Sequence, residues 1–161
     1  MSTLTDLIES LQNPEVWPHP ATEVELVETH ISYVLLVGDF AYKIKKPVDL
    51  GFLDFSTLEK RQYYCEKELS LNRRLAPDLY LDVDAITGDS KHPEIGGNGP
   101  VLEYAVRMRR FPANGLLAQH IDRLTPDLID GLAVRVASFH AQIDRAGDAD
   151  PCGSPEQVYH P

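Results

Sequence analysis

The feature that most constrains the fold is a stretch of alternating side chains over residues 23–46, interrupted once by a turn signal. Apolar and polar residues alternate with a period of two from Glu23, as expected for half-buried strands. Gly38-Asp39 is a two-residue turn signal between an apolar run at 33–37 and a return strand at 40–46. The segment therefore predicts three antiparallel strands in succession.

Helix signals lie on both sides of these strands. Residues 1–13 predict a short amphipathic helix, and Ser56-Thr57-Leu58-Glu59 predicts a capping box for a long helix that continues to about Leu75. Two more strands are predicted at 79–86 and 101–109, joined by a loop at 87–100, and Thr125-Pro126 begins a further helix. The predicted fold class is α+β, with a five-stranded antiparallel sheet, one long helix against it and helices after it.

The charge balance disfavours two classes of partner. Fifteen Lys and Arg against twenty-five Asp and Glu give a net charge of −10, so neither nucleic acid nor an anionic membrane is the expected partner. The N-terminus has no basic signal-peptide region, and no apolar run is long enough to cross a bilayer. The two cysteines form no disulfide framework and no metal-ligand spacing. A cytoplasmic location is expected.

One strand and the long helix carry the candidate chemistry. Alternation places Ala41, Lys43 and Lys45 on one face of the third strand, where a lysine is costly to bury without an anionic partner. Helical spacing places Glu68 on a stripe with Tyr64, Leu71 and Leu75, so we expect it to point inward. Glu66 is the competing partner. A strand lysine held by a helix glutamate is the arrangement that binds nucleotide phosphates in kinases.

Four runs of this sequence, at 28–36, 41–55, 71–81 and 104–112, resemble bacterial aminoglycoside phosphotransferase-like proteins, many of which carry a second, P-loop kinase domain. The resemblance covers about residues 24–140 and implies a protein-kinase-like N-lobe at 22–111. Lys43 would contact the phosphates of ATP and Glu68 would hold it; Lys43 is preferred to Lys45 because a small residue, Ala41, lies two positions before it.

The same resemblance implies the rest of the nucleotide site. Ala41 would line the adenine pocket, and a hinge at 106–111, including Val106, Met108 and Arg109, would pair with the adenine edge through its backbone. The family reaction transfers phosphate from ATP, with Mg²⁺, to a small-molecule hydroxyl that the sequence does not identify.

The sequence also departs from the kinase pattern. Residues 28–32 contain no glycine, and the chain has no His-Gly-Asp-type catalytic motif with its downstream asparagine and no P-loop. No catalytic residue or metal ligand is therefore predicted. We expect a helix and linker at 1–21, the lobe at 22–111, the start of a helical C-lobe at 112–145 and an irregular, truncated tail at 146–161. The expected function is the ATP-binding N-terminal part of such a kinase, inactive alone. The alternative is a non-catalytic interaction module, whose open side a C-terminal domain or a partner chain covers.

Overall fold

The computed structural model describes residues 4–145 and Gly147. The chain divides into two units, Met1–Phe111 and Pro112–Pro161. The tail predicted over 146–161 lies outside the described residues apart from Gly147.

The first unit is built on one antiparallel sheet, which carries the candidate site. Its strands are β1 (Val24–Glu28), β2 (Ser32–Val37), β3 (Phe40–Lys45), β4 (Tyr80–Asp89), β5 (His92–Ile95) and β6 (Val101–Arg109). Its helices are α1 (Leu4–Leu11) and α2 (Leu58–Arg73), with a 3-10 turn at Pro14–Val16. The strand order is β1-β2-β3-β6-β4-β5, so β3 and β6 lie at its centre. The prediction of an α+β fold with an antiparallel sheet is confirmed.

The predicted strand count of five is wrong, because β5 forms inside the segment expected to be a loop. The Asp89 carboxylate closes the turn before it, accepting hydrogen bonds from the backbone of Lys91 at 2.8 Å and His92 at 3.0 Å. Gly88 has a φ of 96°, a backbone conformation that is strained for any residue with a side chain. Pro93 fits this strand because β5 is an edge of the sheet, where a missing N–H need not cost a ladder bond.

One face of the sheet is covered by the N-terminal segment. The residues that α1 buries are, as predicted, on one side of the helix: Leu7, Ile8 and Leu11. Trp17 packs against the ring of Tyr42 with centroids 4.3 Å apart, and its indole N–H donates to the carbonyl of Leu11 at 2.9 Å. His19 hydrogen-bonds the Tyr42 hydroxyl at 2.9 Å. The segment at 4–21 thus contributes to the core of the first unit.

Helix α2 lies over the opposite face of the sheet. Its N-cap is Thr57, which accepts a hydrogen bond from Lys60 N at 3.3 Å, so the cap is one residue later than the predicted Ser56. The helix ends at Arg73 rather than near Leu75. The buried residues of α2 are Arg61 and Cys65.

The second unit contains helix α3 (Pro126–Gln142) after three 3-10 turns, Ala113–Gly115, Leu117–Gln119 and Ile121–Arg123. Thr125 caps α3 by accepting from Leu128 N at 3.3 Å, and Pro126 occupies the first turn, as the sequence predicts. Within residues 4–145, no helix combines the length and the apolar character that crossing a bilayer requires.

Candidate functional site

The candidate site lies on the face of β3 that α2 covers. Tyr42 and Ile44 are fully buried on the other face, so the pleat directs Ala41, Lys43 and Lys45 towards α2. Because β3 is hydrogen-bonded to β2 on one side and β6 on the other, the position of these side chains is fixed by two strands. The central strand therefore presents two cations to the helix.

Helix α2 meets the sheet through a stripe at spacing i, i+4, i+7, formed by Arg61, Cys65 and Glu68. Arg61 Nε donates to both carboxylate oxygens of Glu103 on β6, at 3.0 and 2.8 Å. Cys65 lies against the backbone carbonyl of Tyr104, and burial raises the pKa of its thiol to about 12. This stripe fixes the rotation of α2 about its axis.

The prediction that the apolar residues near the end of α2 point inward with Glu68 is partly wrong. Leu71 and Leu75 are 54% and 42% exposed, although the sequence pattern places them inward with Glu68. The reason is that the face towards the sheet includes a charged residue, Arg61, which a search for apolar periodicity passes over.

Glu68 bonds both strand lysines. Lys43 Nζ lies 2.8 Å from Glu68 Oε1, and Lys45 Nζ lies 2.6 Å from Glu68 Oε2. The partner of Lys43 is thus Glu68 and not Glu66, which accepts a hydrogen bond from Gln62. Burial by itself would raise the pKa of Glu68, but the hydrogen bonds from the two lysines outweigh it and hold the pKa below its usual range. Glu68 is therefore a carboxylate at neutral pH.

An open cleft of about 440 Å³ borders this cluster. Its charged lining consists of three lysines (Lys43, Lys45 and Lys67) and Glu68, a local charge of +2. The remaining lining is apolar: Ile31, Leu53, Phe55, Tyr63, Tyr64 and Leu71. A chain of net charge −10 thus has a cleft with a local excess of positive charge, which suits an anionic ligand with an apolar part.

The structure brings some of the predicted adenine-site residues onto this face. Val106 is opposite Lys43 in the ladder and Met108 is opposite Ala41, so these four share the face that α2 covers. Arg109 is opposite Phe40, on the other face. Val106 is fully buried. Of these three residues of β6, Met108 is therefore the one whose side chain lies next to Ala41 on the face that α2 covers.

Most of the backbone of the segment predicted as a hinge, 106–111, is hydrogen-bonded to neighbouring strands and loops. Residues 106–108 lie between β3 and β4, and their backbone groups belong to the two ladders. Arg109 N donates to the Leu79 carbonyl and Arg110 N donates to the Asp39 carbonyl, each at 2.8 Å. Phe111 is the next residue, and no backbone acceptor for its N–H lies among the described residues. The backbone N–H groups of this segment therefore have acceptors within the chain up to Arg110.

The turn between β1 and β2 has no glycine and is held by side chains instead. The Thr29 hydroxyl accepts from Ser32 N at 3.0 Å, and Lys46 Nζ donates to the Thr29 carbonyl at 2.7 Å. Lys46 also pairs with Glu28 and lies over the Tyr33 ring. These contacts fix the turn next to Ile31, which lines the cleft.

Three site residues were missed or set aside at the sequence level. Lys45 has the same alternation signal as Lys43, but only the structure shows that it also bonds Glu68. Lys67 looks like a solvated helix residue, yet it lines the cleft. Tyr80 is opposite Met108, and the charges of Glu68 and Lys43 affect the pKa of its phenol in opposite directions. No sequence signal connects it to the site.

Comparison with known proteins gives relatives but no named activity. The chain is 36% identical over 132 residues to uncharacterized proteins of Mycobacterium bovis and Mycobacterium tuberculosis. The match covers 79% of this chain and 25% of each relative, so the chain spans about a quarter of the length of the curated relatives it matches. No family model and no solved structure matches the chain.

Proposed function

We propose that this chain is the nucleotide-binding, N-terminal part of an aminoglycoside phosphotransferase-like kinase and has a kinase-like N-lobe fold. The observation that carries the proposal is the cluster of two strand lysines on one helix glutamate, at the edge of a cleft with a local charge of +2. In kinases a glutamate of the helix orients a strand lysine that contacts the phosphates of ATP. The helix between β3 and β4 supplies that glutamate here.

Lys43 is the phosphate ligand in this proposal. Its side chain is 28% exposed, whereas that of Lys45 is 5% exposed, so Lys43 can reach a molecule in the cleft. A charge-assisted hydrogen bond from an ammonium to a phosphate is among the stronger polar contacts in proteins. Ala41 and Met108 then lie on the same face for the adenine ring, and the backbone after Arg110 lies where a hinge begins.

The remaining parts of a phosphotransferase belong to the longer protein in this proposal. The curated relatives are about four times as long as the matched segment, which leaves room for a catalytic aspartate, an acceptor site and a further domain. Among residues 4–145, no three His, Cys, Asp or Glu side chains come together as a metal site. In this proposal the carboxylates that would hold Mg²⁺ belong to the longer protein. In this proposal the phosphate acceptor is a small-molecule hydroxyl. The use of ATP as phosphate donor is consistent with a cytoplasmic location.

The test is an NMR titration of ¹⁵N-labelled protein with a non-hydrolysable ATP analogue, with AMP as the comparison. We expect shifts at Ala41, Lys43 and Met108, weak affinity, and still weaker binding of AMP because it lacks the outer phosphates. Lys43→Met should lower the affinity about tenfold, roughly 1.4 kcal/mol. Lys91→Met removes the same charge at the β4–β5 turn and should leave the affinity almost unchanged. Equal affinities of these two variants, or shifts confined to another surface, would refute the proposal.

A second function is favoured by one observation. The loop between β3 and α2 carries Leu50 and Phe52, which are 49% and 85% exposed. Two exposed apolar residues this close in sequence can contribute to an interaction surface, and an aromatic side chain is a common anchor of such surfaces. We propose as the alternative a non-catalytic module that binds another protein through this loop. Absence of any nucleotide-induced shift, together with loss of partner binding in Phe52→Ser, would favour it.

A further inference from the structure

We propose that Lys45 is a positioning residue, which holds Glu68 in place so that Lys43 is free to bind an anion in the cleft. The inference rests on the proposed function in one respect, since it takes the anion to be the phosphate chain of a nucleotide. It adds that two lysines with different tasks share one carboxylate.

The two lysines differ in their surroundings. Lys45 is 5% exposed in its side chain, and its ammonium lies 4.9 Å from the centre of the Phe55 ring. Lys43 is 28% exposed in its side chain and borders the open cleft. Each uses a different oxygen of Glu68, at 2.6 Å for Lys45 and 2.8 Å for Lys43. Because an ammonium is costly to bury unpaired, Lys45 has the stronger reason to stay on Glu68.

The charge count supports the same division. Two ammonium groups on one carboxylate leave one positive charge in surplus, and Lys43, the more exposed of the two, presents it to the cleft. With Lys43 as its one partner, Glu68 would lose its counter-ion when Lys43 turned to a phosphate. A carboxylate that is 13% exposed would then face an anion without compensation. Lys45 removes that cost because it remains bonded to Glu68.

The helix is also fixed independently of Lys43. Arg61 lies two turns before Glu68 on the same face of α2, and its Nε–H, shared between the two carboxylate oxygens of Glu103, ties this face to β6. Movement of Lys43 therefore leaves both Arg61 and Lys45 to hold α2 against the sheet. Glu68 stays where it is when the ligand arrives.

The first measurement needs no ligand. The carboxyl pKa of Glu68 is measured by ¹³C NMR in the wild type, Lys45→Met, Lys43→Met and Lys67→Met. Lys67 lines the cleft and its ammonium lies over the Tyr63 ring, whereas Glu68 pairs with Lys43 and Lys45, so Lys67→Met controls for the loss of one charge. We expect the pKa to rise by about one pH unit in Lys45→Met, less in Lys43→Met and least in Lys67→Met.

The other titratable groups that face Glu68 do not disturb this measurement. They are the Tyr80 phenol on β4 and the Cys65 thiol on α2 itself. Burial raises the pKa of both, to about 12 for Cys65, so both stay neutral across the acidic range in which Glu68 titrates. A rise in Lys43→Met equal to or larger than that in Lys45→Met overturns the proposal.

The second measurement adds inorganic tripolyphosphate as the probe. In the wild type the pKa of Glu68 should change little on saturation, because Lys45 remains bonded, whereas in Lys45→Met it should rise further. The ¹⁵N signal of the Lys43 ammonium should shift in the wild type while that of Lys45 stays. The lysine signals need no variant, so they decide the question even where Lys45→Met fails to fold. A shift of Lys45 with Lys43 unmoved overturns the proposal.

These results separate the inference from the proposed function. The ligand-free pKa order supports the role of Lys45 whether or not a nucleotide binds. Loss of nucleotide binding with that order intact refutes the proposed function alone, and nucleotide binding with the order reversed refutes the inference alone.

Discussion

The buried pair between Arg61 and Glu103 allows a quantitative prediction. The side chains are 11% and 2% exposed, Arg61 donates to both carboxylate oxygens, and its Nη1 also donates to the Phe55 carbonyl at 2.9 Å. Burial raises the pKa of Glu103 by more than the hydrogen bond and the charge of Arg61 lower it. For a buried ion pair, the desolvation penalty can exceed the attraction between the two charges. Removing one partner of the pair and replacing both partners with apolar residues should therefore have very different effects on the free energy of unfolding.

Arg61→Met should lower the free energy of unfolding by about 3–5 kcal/mol at pH 7.5, because Glu103 is left as an unpaired buried carboxylate. The double variant Arg61→Met/Glu103→Leu should lie within about 1 kcal/mol of the wild type or be more stable, since it removes both desolvation penalties. The carboxyl of Glu103 has a folded pKa above its unfolded value of 4.5, so protonation favours the folded state. Without Arg61 the pKa of Glu103 rises further, so protonation stabilises the variant more than the wild type. The cost of Arg61→Met should hence shrink as the pH falls from 7.5 to 5.

The assay is urea unfolding followed by circular dichroism for the wild type, both single variants and the double variant, at the two pH values. The coupling energy from this cycle should be about 3 kcal/mol or more. A cost below about 1 kcal/mol for Arg61→Met, or a double variant as unstable as the sum of the singles, would show that the pair does not carry this energy.

Four smaller predictions follow from single side chains and are checked by the same unfolding measurement. Trp17→Ala should lower the free energy of unfolding by about 3–5 kcal/mol, because it leaves a cavity in the core and removes an indole hydrogen bond. A decrease under about 1 kcal/mol would contradict the packing of the N-terminal segment on the sheet. Gly88→Ala should cost about 2–3 kcal/mol, against about 1 kcal/mol for Gly51→Ala. Both glycines have positive φ, but a Cβ at position 88 also lies 2.6 Å from a backbone oxygen, and equal costs would refute this reasoning. Thr57→Ala should cost about 1 kcal/mol through loss of the α2 cap. Glu68→Gln should make the free energy of unfolding depend less on pH in the acidic range. The pKa of Glu68 in the folded state is depressed, so the ionised carboxylate stabilises the fold above pH 4.5. This stabilisation is lost as the pH falls through the lower folded value.

Local patterns predicted the strands and helices where one physical signal dominates. Alternation and the turn at Gly38 placed β2 and β3, and the capping box at Ser56 and the Thr125-Pro126 signal placed the starts of α2 and α3 to within a residue. The hairpin that contains β5 was missed because its residues are those of a loop. Its stability comes from pairing with β4 and from the Asp89 turn, and neither is visible in an apolar period.

The candidate site was predictable only in part, for a reason that concerns charge. Alternation put Lys43 on the correct face of β3, and spacing put Glu68 on the side of α2 that meets it. Lys45 has the same alternation, but a sequence cannot show that one carboxylate serves two lysines. The pairing of Arg61 with Glu103 joins residues 42 positions apart and leaves no local trace.

The sheet-facing side of α2 explains why charge has such weight in this site. A surface helix is usually oriented by an apolar stripe, whose contacts tolerate small sliding movements. Here the stripe consists of Arg61, Cys65 and Glu68, so directional hydrogen bonds at both ends set the position of the helix. Such bonds weaken steeply with distance and angle, which fixes both the rotation and the axial position of α2. A helix anchored in this way brings the carboxylate of Glu68 within hydrogen-bond distance of both strand lysines.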